Sequence, residues 1–173
     1  MADKPPRLWA APAPGKLIGK GHPAGDFLEA WEWDLLDSGP GFLQIEAHVP
    51  DHVKNPLGQL FGGFTPTYVD LIAIFTVRAG AALSLPEQPE AQGAREAGPE
   101  RPSERGSWRW LATTNMRVDY FEPITGPRFV VESRMEKQRG RMFFVNTRFL
   151  QDDVLAVYAL TTMREAHRTI GDA

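Results

Sequence analysis

The sequence predicts an α+β domain in which a curved antiparallel sheet wraps one long helix, and three observations carry that prediction. A polar loop with three glycines, starting at Asn55, runs into a helical stretch from Thr65 that is apolar on nearly every face. Four strand-like segments then follow from Trp108 to Met163, joined by tight turns, the pattern of an antiparallel meander. Ahead of the loop, Trp31–Leu36 and Phe42–Val49 flank the turn cluster Asp37-Ser38-Gly39-Pro40-Gly41 and read as a hairpin. A helix apolar all round has to be covered, and the strands are what the chain has to cover it with.

The chain opens with an arm. Residues 1–26 hold prolines at 5, 6, 12, 14 and 23 and little hydrophobic patterning, so an extended segment is expected, with Trp9, Leu17 and Ile18 as its anchors. One domain follows over 27–167, and 168–173 form a short tail. In the second hairpin arm Leu43, Ile45, Ala47 and Val49 alternate with Phe42, Gln44, Glu46 and His48, the period of a strand with one buried face. Thr65-Pro66 reads as an N-cap followed by a first-turn proline. The apolar run continues to Leu83. From 84 to 107 the texture turns Pro/Glu/Gly/Arg-rich, a mobile insertion by composition, since it has too little to bury to offset its ordering entropy.

The later strands are expected at Trp108–Phe121, Phe129–Lys137, Met142–Gln151 and Val154–Met163. In the first of them, Trp108, Trp110, Ala112, Met116, Val118 and Tyr120 form the apolar face. Arg109, Thr113, Asn115, Arg117 and Asp119 point the other way.

Composition removes several function classes. The 173 residues carry a formal charge of -3 and no cysteine. There is no basic surplus for nucleic acid, and disulfides, thiolate nucleophiles and sulfur-bound metals are excluded. The first 20 residues lack the apolar core of a secretory signal. The run at 68–83 is interrupted by Asp70 and Arg78 and is shorter than the roughly 20 residues that cross a membrane. A cytoplasmic protein is expected. The run Gly19-Lys20-Gly21-His22-Pro23-Ala24-Gly25 has the wrong spacing for a dinucleotide loop and no strand before it. His48 and His52 are separated by Pro50 and read as solvated loop histidines rather than metal ligands.

What remains is one acid, Asp70, inside the apolar helix. An ionised carboxylate leaves water only if it is paired or opens on a wet cleft. The readings are a structural ion pair, with Arg117 or Arg78 as partner, or a reactive group.

Asn55, Gly58, Phe61-Gly62-Gly63 and Asp70 resemble the signature of the hotdog-fold acyl-CoA thioesterases of the PaaI-like group. That signature is an Asn, then HGG at the start of the central helix, then an Asp nine residues after the His. Thr113–Pro123 resembles the family's strand ending in an aromatic-x-Pro turn, and the hairpin at Arg139-Gly140-Arg141 its closing hairpin. The resemblance spans about 27–165. It implies hydrolysis of acyl-CoA thioesters, with Asp70 as general base or nucleophile and the Gly62 N–H polarising the carbonyl. It further implies that Asn55 orients the water or the carboxylate, and that Thr113 supports the water. It implies a site shared between subunits of a homodimer or dimer-of-dimers tetramer. No metal and no redox cofactor are implied; coenzyme A enters only as part of the substrate.

The chain departs from the signature at Phe61, which stands at the family's histidine and offers no hydrogen bond. Gly63 allows close approach to the helix start, and Phe61, Phe64 and Tyr68 offer an apolar seat for an aryl or aliphatic acyl group. Tyr68, Leu71, Phe75 and Phe61 are expected to surround Asp70. Arg139 and Arg141 are placed to meet coenzyme A phosphates or are a solvated turn. The alternative function is an acyl-binding module without turnover; a hotdog hydratase would want a histidine near Asp70, and none is near in sequence.

Overall fold

The computed structural model describes residues 10–80 and 108–168, with side chains described over 10–80 and 111–166. The expected insertion at 84–107, Trp9 and the tail from 169 lie outside the described residues. A short helix α1 (Pro23–Phe27) and a 3-10 turn (Ala30–Glu32) lead into β1 (Asp34–Gly39) and β2 (Phe42–His48). After a 3-10 turn at Asp51–Val53 come the loop and the long helix α2 (Thr65–Gly80). The meander is β3 (Trp108–Tyr120), β4 (Arg128–Arg139), β5 (Met142–Gln151) and β6 (Val154–Arg168). All six strands form one antiparallel sheet in the order β1-β2-β4-β5-β6-β3. Helix α2 touches every one of them. Among the described residues no helix is long and apolar enough to cross a membrane.

The alternation read in β2 is the register observed: Leu43, Ile45 and Ala47 are buried against the helix, and Gln44, Glu46 and His48 are partly exposed. The hairpin begins later than expected, because Glu29 takes a left-handed conformation (φ 52°) and starts the 3-10 turn over Trp31. Helix α2 starts at Thr65 itself. The carbonyl of Phe64, just before it, accepts from the Thr67 N–H at 3.0 Å. At its far end α2 meets the β1–β2 turn backbone to backbone. A Cβ on Gly80 would come within 2.6 Å of the Gly41 Cα, so glycine is needed there. Inside, Thr76 Oγ1 lies 2.8 Å from Ser133 Oγ, and that hydroxyl 3.1 Å from Thr147 Oγ1. These three buried hydroxyls satisfy one another and tie the helix to β4 and β5.

Two expectations are corrected. The helix is not covered on all sides: Thr65, Tyr68, Val69, Leu71, Ile72, Ala73, Thr76 and Val77 are buried, whereas Thr67, Asp70 and Ile74 keep partial exposure. And β3 does not keep one parity. Its pairing with β6 slips between Thr113 and Asn115, a β-bulge that inserts one residue. Leu111 packs on the core before the bulge, and Met116 and Val118 pack on it after. Thr113, read as outward, therefore shares the helix-facing side with Leu111.

The two sheet edges differ. Along β1, Lys16 of the N-terminal segment makes a bridge with Asp34, and Leu35 N–H donates to Gly15 O at 2.8 Å. The same segment buries Ile18 and packs Leu17 on the core. Along β3, a strand of 13 residues, no second strand is paired among the described residues, and 112–115 are exposed. Such an edge offers an unused row of N–H and C=O groups.

Candidate active site

Asp70 sits on the open side of α2, half-buried, and its Oδ1 accepts a hydrogen bond from the Thr113 hydroxyl. The bulge makes this contact possible, since without it the parity of Met116 and Val118 would turn Thr113 to the outer face. Among the described residues no cation pairs with Asp70. Arg117 is engaged by Asp119 at 3.1 Å, and Arg78 lies over the Phe75 ring, 5.9 Å from its centroid. Burial pushes the Arg78 guanidinium below its usual range. Neither arginine forms a structural ion pair with Asp70, and the carboxylate has a neutral donor on one oxygen.

The loop before α2 is organised by Asn55. Its Oδ1 accepts from the N–H groups of Leu57 (2.9 Å) and Gln59 (3.1 Å), and its Nδ2 donates to Gln59 Oε1 at 3.2 Å. Gly58, at φ 77°, closes the turn and donates to Asn55 O at 2.9 Å. Both lone pairs of the Asn55 oxygen are used by the loop, so orienting water or carboxylate falls to its Nδ2 group, which has a second N–H to give. The chain is then pinned by Leu60 N–H to Ile124 O and Phe61 N–H to Val53 O, each 2.9 Å.

Gly62 and Gly63 come next. Among the described residues neither N–H has a protein acceptor, while the Phe64 N–H donates to Phe61 O at 2.9 Å. The two amides lie at the start of a helix whose dipole adds positive potential, an arrangement suited to a carbonyl oxygen gaining negative charge. The Phe61 ring folds over Gly63, 2.7 Å from where a Cβ would stand. It packs edge-on against Phe64 at 5.7 Å, and Phe64 packs against Phe27 at 5.4 Å. Phe61 (49 %) and Phe27 (41 %) remain exposed, so an apolar shelf borders the two free amides. Phe27 was missed in the sequence because it lies in the segment at the arm–domain boundary, where the pattern is weakest.

Other expectations fall elsewhere. Tyr68 is fully buried, stacked on Trp33 and donating to His48 O at 2.9 Å, so it belongs to the core and not to the substrate's seat. Leu71 is buried as well, in the core cluster with Tyr68. Arg139 and Arg141 are exposed at the β4–β5 turn, whose Gly140 has φ 57°. Gln138 pairs with Phe143, that residue with Met163, and that one with Thr113. The turn thus shares a row with Thr113 but lies three strands away on its Arg139 side and two on its Arg141 side, about 14 and 10 Å at ordinary strand spacing. His48 is on a strand rather than in a solvated loop and pairs with Glu29 at 2.9 Å, with Glu32 nearby. His52 is exposed and lies 2.6 Å from Phe27 O.

Comparison with solved structures finds the same fold. A conserved protein from Pseudomonas aeruginosa superposes with a TM-score of 0.63 at 14% identity, over 90% of this chain and 100% of that one. A phenylacetic acid degradation-related protein from Ralstonia eutropha JMP134 gives 0.59 at 18% identity, over 89% and 92%. A thioesterase protein from Streptococcus pneumoniae TIGR4, solved with coenzyme A, gives 0.59 at 12% identity, over 79% and 88%. These are the hotdog architecture expected from the motif. No curated protein matches by sequence. The thioesterase superfamily profile matches residues 57–157, more than half of the chain, from within the loop to the start of β6, and the chain belongs to that superfamily.

Proposed function

We propose that the protein hydrolyses acyl-CoA thioesters to a free acid and coenzyme A, as a homo-oligomer in an aqueous compartment such as the cytoplasm. The observation that carries this reading is the state of Asp70: a carboxylate on the open side of the central helix, bound by a hydroxyl and by no cation among the described residues. As general base, Asp70 takes a proton from water as the water oxygen attacks the thioester carbon. The Gly62 and Gly63 N–H groups receive the oxygen that becomes negative. The tetrahedral intermediate then expels the coenzyme A sulfur, which takes the proton back. No metal or redox group is needed at any step. Because Phe61 has no polar atom, backbone amides alone supply the polarisation.

Geometry supports a site shared between two copies. Asp70 is five residues beyond the helix start, about 7.5 Å along the axis, and the free amides lie before the first turn. The attacking water has to lie within about 3 Å of the base while the carbonyl oxygen lies within about 3 Å of the donors. Pairing the β3 edges of two copies, unpartnered among the described residues, would cover that edge, and the reading sets the acid of one copy toward the loop of the other. Coenzyme A phosphates would then find Arg139 and Arg141 at the rim, and the Phe27–Phe64–Phe61 shelf would take the acyl group. The coenzyme A held by the Streptococcus pneumoniae protein is consistent with such a substrate.

The test is thiol release over a panel of aliphatic and aryl acyl-CoAs, with the oligomer's mass measured in parallel. Turnover by an oligomer is expected. The exposed Phe61 ring favours a second reading, an acyl-binding module; binding of every acyl-CoA with turnover of none would select it. For the hydrolase, Thr113→Val is expected to lower kcat about tenfold. That is the low end for losing a hydrogen bond to a charged group, because this one is solvent-exposed.

A further inference from the structure

We propose that Tyr120 is a positioning residue for the carbonyl-polarising amides, its hydroxyl holding the Gly62–Gly63 peptide in the orientation that leaves the Gly63 N–H open. The inference rests on the hydrolase reading. Tyr120 ends β3, is half-exposed, and donates from its hydroxyl to Gly62 O at 2.8 Å across 58 residues of chain. Its ring edge lies 3.6 Å from where a Gly62 Cβ would be.

Between Leu60 and Phe64, the peptide it holds is the one link with no backbone hydrogen bond among the described residues. Leu60 and Phe61 are tied through Ile124 and Val53 on one side, and Phe64 to Phe61 on the other. The torsions that rotate the intervening plane, ψ of Gly62 and φ of Gly63, both belong to glycines and turn with little steric resistance. A trans peptide is planar, so its C=O and N–H point in opposite directions. Fixing the Gly62 carbonyl on the phenol therefore fixes the Gly63 N–H on the side away from it. A flipped plane would put a carbonyl lone pair where a donor is wanted, opposing charge development on the substrate oxygen. The same strand that sets Asp70 through Thr113 thus sets the amides through Tyr120, seven residues on.

Tyr120→Phe removes only the hydroxyl. A neutral hydrogen bond of ordinary strength biases such a two-state plane by about three- to tenfold. The expected result is a kcat lowered by that factor, KM for acyl-CoA within about twofold, and an unchanged melting temperature. Tyr120→Leu should lose the same factor; loss in Tyr120→Leu with none in Tyr120→Phe would make the ring responsible and overturn the proposal. So would a raised KM at constant kcat, which would mean direct substrate contact. An unchanged Tyr120→Phe beside an inert Asp70→Asn would refute the positioning role while leaving the hydrolase reading standing. If the wild type turns over no acyl-CoA, the hydrolase reading fails. The proposal is then decided by the Gly63 amide nitrogen resonance, which moves and broadens in Tyr120→Phe if the plane is released and stays put if it is not.

Discussion

Replacing Asp70 by asparagine is expected to lower kcat by about two to four orders of magnitude, the range that a positioned general base contributes. The substitution is isosteric, but an amide cannot take the proton from water at neutral pH. Stability should hardly change, because the side chain is half-exposed and its described partner is one hydroxyl, to which an asparagine oxygen can still be an acceptor. Thiol-release kinetics on Asp70→Asn, with a melting curve beside them, check both halves. Retention of more than about a tenth of wild-type kcat would move the base to another residue. The double variant with Thr113→Val is informative too. If Thr113 acts only by holding the carboxylate, the pair loses no more than Asp70→Asn alone, the non-additivity of residues working as one unit.

Why the sequence exposed some of this and hid the rest is a matter of range. Period-two alternation in β2 comes from one sheet face packing on one helix, so Leu43, Ile45 and Ala47 were readable as core from spacing alone. The β3 bulge was not readable. Thr113-Thr114-Asn115 gives no glycine to mark it, and the slip appears only once β6 is laid alongside. Asn55 was found by its motif, but its bonds to Leu57 and Gln59 depend on a loop shape that spacing does not encode. Tyr120 lay on the right face of β3 by its sequence position. Only coordinates bring a strand end to a loop 58 residues away. Tyr68 is different, because there the sequence held the answer. At 3.6 residues per turn, positions 68 and 70 stand about 160° apart around the helix. A side chain two residues from Asp70 therefore had to point nearly the opposite way, into the sheet.

That placement makes Tyr68→Ala strongly destabilising, by about 3–5 kcal/mol, as for other large aromatics deleted from a core. The ring has no exposed surface and stacks on Trp33 at 5.3 Å and 13°. It also meets Phe129 at 5.5 Å and Phe149 at 6.3 Å, so the void opens where helix, hairpin and meander converge. Burial pushes the phenol well above its usual range, keeping it the neutral donor that His48 O needs. Tyr68→Phe keeps the packing and orphans that carbonyl, at a cost of about 1–3 kcal/mol. Denaturant titration is the measurement: both midpoints should fall, Tyr68→Ala further than Tyr68→Phe, with slopes unchanged. For a chain of this size each kcal/mol also lowers the melting temperature by about 2–4 °C. The contrast with a substrate-lining residue is sharp. Tyr68→Phe should leave KM for every acyl-CoA where it was, and a KM shift confined to certain acyl groups, with stability intact, would return Tyr68 to the substrate's seat.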